Sequence, residues 1–437
     1  MKRIVPILIV LAVCAGLRSA PAESGMPSIL PIKDRTAVQD RWLKARLETV
    51  LPDLMRREKI DMWVVICREY NEDPVYLTLV PADSLSARRL SILVFFDKGA
   101  EGVEKISVGR YPIGTLYQAA WQPDKTRQDQ WEALARVVKD RNPKRIGIDE
   151  SEIFAFGDGL SASLKAGFLK ALGPGWANRV GSAERLAVGW LERRTAEELE
   201  VYPHIAAVAH AVIAEAFSPA VITPGVTTAE DVEWWMWERI RSLKLDTWFP
   251  PSISIQRPRE KEAGDRIIRR GDLLHCDMGI DYLGLKTDHQ EHAYVLRPNE
   301  EGAPQGLKAA LGAGNRLQDI LLAEFGEGRT GNEVLASALR KAKEAGLKPS
   351  IYTHPLGVHG HAAGPTIGLW DHQEGVPGQG DYHLFYDTCY SIELNTKVAV
   401  AEWDGQEVTI ALEEDAAFTR GGPWFLDGRQ ISLFLIK

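Results

Sequence analysis

The chain has 437 residues, a formal net charge of −8, 45% hydrophobic and 26% charged residues. That length suits two or three domains with a large core, and the composition is ordinary for a soluble globular protein. The acidic balance, and the lack of a basic cluster interleaved with aromatics, argue against nucleic acid as a partner.

The N-terminus differs from the rest. Met1-Lys2-Arg3 is basic, Ile4 to Leu17 is apolar apart from Pro6 and Gly16, and Ala20-Pro21-Ala22 offers a small-x-small cleavage pattern. Residues 1–22 read as a signal peptide. The apolar run is short for a membrane span, and Val13 before Cys14 suits a lipoprotein poorly. The expected product is exported, periplasmic or extracellular, with no membrane partner after cleavage. Cys67, Cys276 and Cys389 have no metal-type spacing and read as buried small hydrophobes.

Residues 38–58 show helical spacing of Trp42, Leu43, Leu47, Leu51, Leu54 and Met55, with Pro52 expected to kink or split the helix. The runs from Met62 to Cys67, Ser91 to Phe96 and Arg145 to Asp149 read as strands, with a helix from Trp131 to Lys139. This alternation predicts a small α/β domain over 30–190. A linker is expected near Gly189 to Thr195. Two long helices follow, from Ala196 to Phe217 and from Thr228 to Leu243. Thr195 with Glu198, and Thr228 with Asp231, have capping-box spacing. Short strands then dominate, interrupted by a helical pair at Gly306 to Gly326 and Gly331 to Gly346. Residues 191–437 therefore predict a second, α+β domain within the size one core can serve.

Four stretches of this second domain carry residues a simple core does not want. Asp277 and Asp288 flank a predicted hairpin turning at Tyr282-Leu283, which would set them opposite each other on one face. Like charges there repel unless a cation, or Lys286, answers them. His354, His359, His361, His372 and His383 fall within thirty residues, interleaved with glycines. Glu393 follows Cys389-Tyr390-Ser391-Ile392, and Glu413 ends Val408 to Leu412. Each glutamate falls inside or at the end of an otherwise apolar strand. One imidazole with four carboxylates is mostly oxygen, and suits a pair of manganese-, cobalt- or zinc-type ions better than a thiolate site would.

Asp277, Asp288, a Gly-His-x-x-Gly segment at Gly360 to Gly364, Glu393 and Glu413 follow the ligand order of the pita-bread metallopeptidases. The sequence resembles that family, which includes methionine aminopeptidase, Xaa-Pro aminopeptidase, prolidase and creatinase. The resemblance covers about residues 190–437. It implies a C-terminal pita-bread fold behind a smaller α/β domain, and five metal ligands: Asp277, Asp288, His361, Glu393 and Glu413. It also implies two divalent ions, manganese first with cobalt or zinc as alternatives, and a metal-bridged hydroxide attacking a peptide bond. Glu393 would shuttle the proton, and His372 or His354 would hydrogen-bond the substrate. The presence of an N-terminal domain points to the proline-directed branch, hence a proline-containing peptide partner; a homodimer is compatible with it.

The sequence departs from the pattern in places. Gln290 and Glu291 stand where the family often has Thr and Arg, and Leu394-Asn395 where Pro-Gly is usual. The family's second histidine follows the ligand by seven residues; counted from His361 that position is Gly368, with His372 four residues later. His359 is a rival to His361 as ligand. Two other readings stay open: a metal-free creatinase-like C–N hydrolase, and a non-catalytic binding protein with the same fold. Gly159-Leu160-Ser161-Ala162-Ser163 fails a nucleophile elbow at its last position, and no His-Glu-x-x-His occurs. Trp234, Trp235, Trp237 and Trp248 could line a pocket, although packing explains them as well.

Overall fold

The computed structural model describes residues 25–111, 113–123, 129–259 and 264–437. The expected signal peptide lies outside the described residues.

The first half is built on a six-stranded sheet. Its order runs from Gln118–Ala119 through Val103–Ser107, Leu90–Asp97, Met62–Arg68 and Ile146–Ile148 to Val180–Ser182. The central strand is apolar on both faces because both are covered. Trp63, Val65 and Cys67 pack in the core shared with helices Ile32–Arg57 and Glu184–Glu192. Met62, Val64 and Ile66 pack in the core shared with Gln130–Arg141 and Ala162–Leu172. Alternation of side chains along a strand delivers one set to each layer.

Pro52 does not split the first helix, which runs unbroken through it. The segment expected to be a linker is mostly helix Glu184–Glu192, buried from Leu186 onward. A Cβ on Gly189 would lie 2.8 Å from a Leu54 methyl and 2.7 Å from the Arg57 guanidinium, so this glycine lets two helices approach closely. Only Arg193, Arg194 and Thr195 separate that helix from the next.

Among the described residues the second half has two helix pairs, each on its own core, three sheets of three or four strands, and the two-stranded hairpin Asp281–Tyr282 with Leu285–Lys286. Helices Ala196–Ala216 and Ala229–Ser242 pack on Leu274, Cys276, Met278 and Ala293. Helices Gln305–Leu322 and Gly331–Glu344 pack on Leu394, Ile410 and Leu412. Both expected capping boxes form, at Thr195–Glu198 and Thr228–Asp231. One four-stranded sheet orders Phe434–Ile436, His289–Val295, Leu273–Met278 and Ser252–Gln256; a second orders His354–Leu356, Thr388–Ser391, Asp415–Thr419 and Gly422–Phe425. The third is Pro349–Ile351, Leu394–Val400 and Gln406–Leu412. Helices and strands mix as an α+β fold requires. All three described cysteines are free and buried. Among the described residues no helix is long and apolar enough to cross a membrane.

Candidate metal centre

The chain changes sheets twice through the centre of the second half. Strand Thr388–Ser391 belongs to one sheet and Leu394–Val400 to another, with Glu393 at the crossing. Gln406–Leu412 and Asp415–Thr419 make the reverse change, with Glu413 and Glu414 at the crossing. The glutamates thus sit where backbone pairing is handed from one sheet to the next, rather than within continuous strands.

Asp277 and Asp288 come from the hairpin beside these crossings. Its turn is Leu283-Gly284, both with positive φ (59° and 73°), as a tight two-residue hairpin turn demands. Leu285 pairs with Tyr282, and Gln290 stands opposite Asp277. The expected centre at Tyr282-Leu283 is off by one residue, which moves every partner by two. Asp288 is therefore diagonal to Asp277 rather than opposite it. A shift of two keeps parity, so both still share a face. Lys286 pairs with Asp281 at 2.5 Å and does not neutralise Asp288.

Asp277, Asp288 and Glu413 each bring a carboxylate oxygen within 4.8 Å of the others. His354 completes the group. Its Nε2 lies 3.4 Å from Glu413 Oε1, 3.6 Å from Asp288 Oδ2 and 3.9 Å from Glu393 Oε2. Its Nδ1 is 3.0 Å from the Pro355 carbonyl oxygen, so in the neutral ring that nitrogen donates and Nε2 turns a lone pair towards the carboxylates. Among the described residues, Asp277 Oδ1, Asp288 Oδ1 and His354 Nε2 are buried without a hydrogen-bond partner. Burial pushes the Asp277 carboxyl up to about 8, with Glu413 adding to it. Burial, then Glu413, Asp277 and Glu393, hold Asp288 well above the usual carboxylate range. Burial and Glu413 do the same to Glu393. Buried carboxylates facing one another and a bare ring nitrogen fit a cation, which would satisfy all of them together.

Gln290 also belongs to the site. Its Nε2 donates to Glu393 Oε1 at 2.8 Å and to Glu413 Oε2 at 2.5 Å, while its Oε1 is 2.9 Å from His275 Nε2. Ser391 Oγ donates to Glu413 Oε1 at 2.6 Å. In the sequence Gln290 stands out only as a departure from the family pattern, and nothing there marks Ser391 as a contact of Glu413.

The other histidines separate. His361 is exposed, with one ring nitrogen in a group with Asp288 and His354. Its ring lies 4.6 Å from His354, 5.1 Å from Trp248 and 5.6 Å from Tyr352, centroid to centroid. Burial and then His354 push its pKa down to about 4. Gly360 is needed beside it, because a Cβ there would meet the Trp248 indole at 2.2 Å. His359 turns towards the first half and stacks on Phe156 at 4.1 Å. His372 is exposed, its Nε2 3.8 Å from Asp371, and joins none of the clusters among the described residues. The loop after Gly364 carries it away from the carboxylates. Trp234 and Trp237 stack on each other at 5.5 Å on their helix, and Trp248 alone of that group reaches the site.

The model of metallopeptidase family M24 matches residues 202–417, a span holding every side chain of this cluster. No curated protein sequence matches the chain. Among solved structures it is similar to an X-Pro aminopeptidase from Thermotoga maritima MSB8, at 16% identity and TM-score 0.61, over 88% of this chain and 99% of that one. It is also similar to a Xaa-Pro dipeptidase from Bacillus anthracis, at 16% identity and TM-score 0.55, over 92% and 99%. The N-terminal domain of FACT complex subunit SPT16 from Cicer arietinum is similar at 11% identity and TM-score 0.51, over 92% and 99%. At such identities the likeness is one of fold. Over residues 202–417 the chain belongs to metallopeptidase family M24, with the pita-bread fold.

Proposed function

We propose that the chain is an exported metal-dependent peptidase of Xaa-Pro aminopeptidase or dipeptidase type, holding two divalent cations, manganese before cobalt or zinc. One observation carries this reading: His354 Nε2 faces oxygens of Glu413, Asp288 and Glu393 within 3.9 Å, beside buried carboxylate oxygens that lack a partner. The proposed ligands are Asp277, Asp288, His354, Glu393 and Glu413, with His354 in the role the sequence pattern suggested for His361. The family and the Xaa-Pro names of its solved relatives support a peptide substrate and a proline preference. The composition of residues 1–22 supports export.

When bound, the two cations would supply a Lewis acid for the amide carbonyl and lower the pKa of a water. The chain's own residues do the rest. Gln290 holds Glu393 by Oε1, which leaves Oε2 to take the proton from the attacking water and return it to the leaving nitrogen. His361, on the solvent side of His354, would donate to the substrate carbonyl oxygen as charge develops there. Trp248, Tyr352 and Trp370 form an aromatic rim against which a pyrrolidine ring would pack.

The test is reconstitution of the full chain with manganese, followed by X-Pro dipeptides and longer peptides with proline second. Metal-dependent cleavage, lost in chelator and in Glu393→Gln, is the expected result. Activity retained in chelator with fewer than one ion per chain would overturn the metal reading. Cleavage of other dipeptides only would remove the proline preference and leave the peptidase. A second reading, a binding protein with this fold, is favoured by Gln290, whose amide already occupies one oxygen of each glutamate. Fully metallated protein that cleaves no peptide would support it.

A further inference from the structure

Strand alternation sends neighbours of the proposed ligands to the other side of the sheet. Asp288 and Gln290 face the site above; His289 and Glu291 face helix Ala196–Ala216. Glu414 likewise turns away from Glu413. On that side His210, from the helix, meets His289 with ring centroids 4.3 Å apart. His210 Nε2 is 3.0 Å from Glu414 Oε2, and its Nδ1 is 2.9 Å from Asp427 Oδ2. The other oxygen of Glu414 accepts the Gln430 N–H at 2.8 Å, which fixes the carboxylate plane.

The cluster is not balanced by its own hydrogen bonds. His289 is 0% exposed, and among the described residues neither of its ring nitrogens has a hydrogen-bond partner. Asp415 Oδ2 lies 3.7 Å from His289 Nε2, and both it and Glu291 Oε2 are buried without partners. A proton on His210 would satisfy that residue's bridge to Asp427 and Glu414. It would leave both nitrogens of His289, and the oxygens of Glu291 and Asp415, unanswered.

We propose that His210, His289 and Glu414 form a separate site for one zinc-type cation, behind the sheet that carries the peptidase centre. Each of the three offers a donor atom within 4.8 Å of the others. Two imidazoles and one carboxylate are the donors of a tetrahedral zinc site, unlike the oxygen-rich set across the sheet. These three donors leave the fourth position of a tetrahedron open for a water. Asp427 is a positioning residue: it holds the His210 Nδ1–H and so directs Nε2 inward, as carboxylates behind metal-bound histidines do. Entry is from a surface cavity lined by His210, Glu291 and Asp427. The site ties the helix to strand His289–Val295 and to the crossing before Asp415–Thr419, and His289 and Glu414 each adjoin a proposed peptidase ligand.

The test uses crystals of the full chain soaked in zinc, with anomalous scattering to locate the ion, and equilibrium dialysis for the count. The expected result is a peak about 2.0–2.2 Å from nitrogens of both His210 and His289. His210→Ala, at a partly exposed position, should lose one zinc per chain while the peptidase centre keeps its metals. Asp427→Asn should keep the site but weaken it about 10–100-fold, and it carries the test if His210→Ala does not fold. No peak between His210 and His289 at saturating zinc overturns the proposal, whatever occupies the Asp288–Glu413 centre. Unchanged zinc affinity in Asp427→Asn together with an unchanged count in His210→Ala overturns it too.

Discussion

Gln290 Nε2 donates to Glu413 Oε2 at 2.5 Å, so a neutral amide grips a proposed metal ligand from the floor of the site. The same amide reaches Glu393, and strand pairing sets Gln290 opposite Asp277. Gln290 therefore orients carboxylates that would otherwise swing apart under mutual repulsion. Outer partners of metal ligands typically govern affinity by about 10–100-fold. Gln290→Ala should weaken manganese binding by that factor in a calorimetric titration while the fold is kept. Unchanged affinity would reduce Gln290 to packing.

A second prediction concerns stability. Glu198 is buried between two buried guanidinium groups, 3.0 Å from Arg46 Nη1 and 3.2 Å from Arg194 Nη1. Burial pushes its carboxyl up, but Arg46 and Arg194 together hold it below its usual value. Burial in turn draws Arg46 down to about 10. Glu198 also closes the capping box with Thr195. Glu198→Gln keeps the cap, since glutamine serves at that position, but removes the charge. Two uncompensated buried cations should cost about 3–5 kcal/mol in urea denaturation. Thr195→Ala, which removes only the cap, should cost about 1 kcal/mol.

Much of this architecture was legible from local chemistry. Thr195 and Thr228 announced their helices because a capping box is read within four residues, and the both-face burial of Trp63 and Val64 follows from an unbroken apolar run. What was missed depended on partners distant in sequence. Gly189 looks like a breaker until Leu54 and Arg57 are seen against it. The hairpin centre moved by one residue because Leu283 takes a positive φ, which side-chain type does not advertise. The histidines are the instructive case. The Gly-His-x-x-Gly pattern drew attention to His361, yet the seven-residue spacing sought after it runs from His354 to His361. Glu291 reads only as a departure and His289 carries no signal, because the partners of that cluster, His210 and Glu414, lie on other elements.

A third prediction follows from the raised carboxyls. Asp277 has an ordinary unfolded value of about 3.9 and a folded value of about 8. Between these the native state binds the extra proton, so stability falls as pH rises through the window. The metal-free chain should melt progressively lower from pH 5 to pH 8. Glu192, raised to about 8 by burial, contributes the same sign away from the carboxylate cluster. The comparison that isolates the centre is therefore melting with and without manganese. Metal requires deprotonated ligands and releases their protons, so its stabilising effect should grow with pH across the same range. A manganese-induced shift that is constant from pH 5 to pH 8 would detach the cation from these carboxyls.

The last prediction separates the histidines. His354 stands on strand His354–Leu356, paired with Ser391, and is 2% exposed; backbone pairing and burial fix its ring against Asp288 and Glu413. His361 stands in the loop beyond, exposed between aromatic rings. A ligand must be held, whereas a group that meets substrate must be reachable. His354→Ala should therefore lose at least one manganese per chain, with turnover lost as a consequence. His361→Ala should keep its full metal content and lose about 10²–10³-fold in kcat, the usual cost of one donor to a developing oxyanion. His372→Ala, at an exposed position beside Asp371, should change neither. Elemental analysis beside steady-state kinetics reads all three. If His361→Ala strips metal while His354→Ala retains it, the ligand is the histidine of the glycine-flanked segment, and the strand histidine has the substrate role instead.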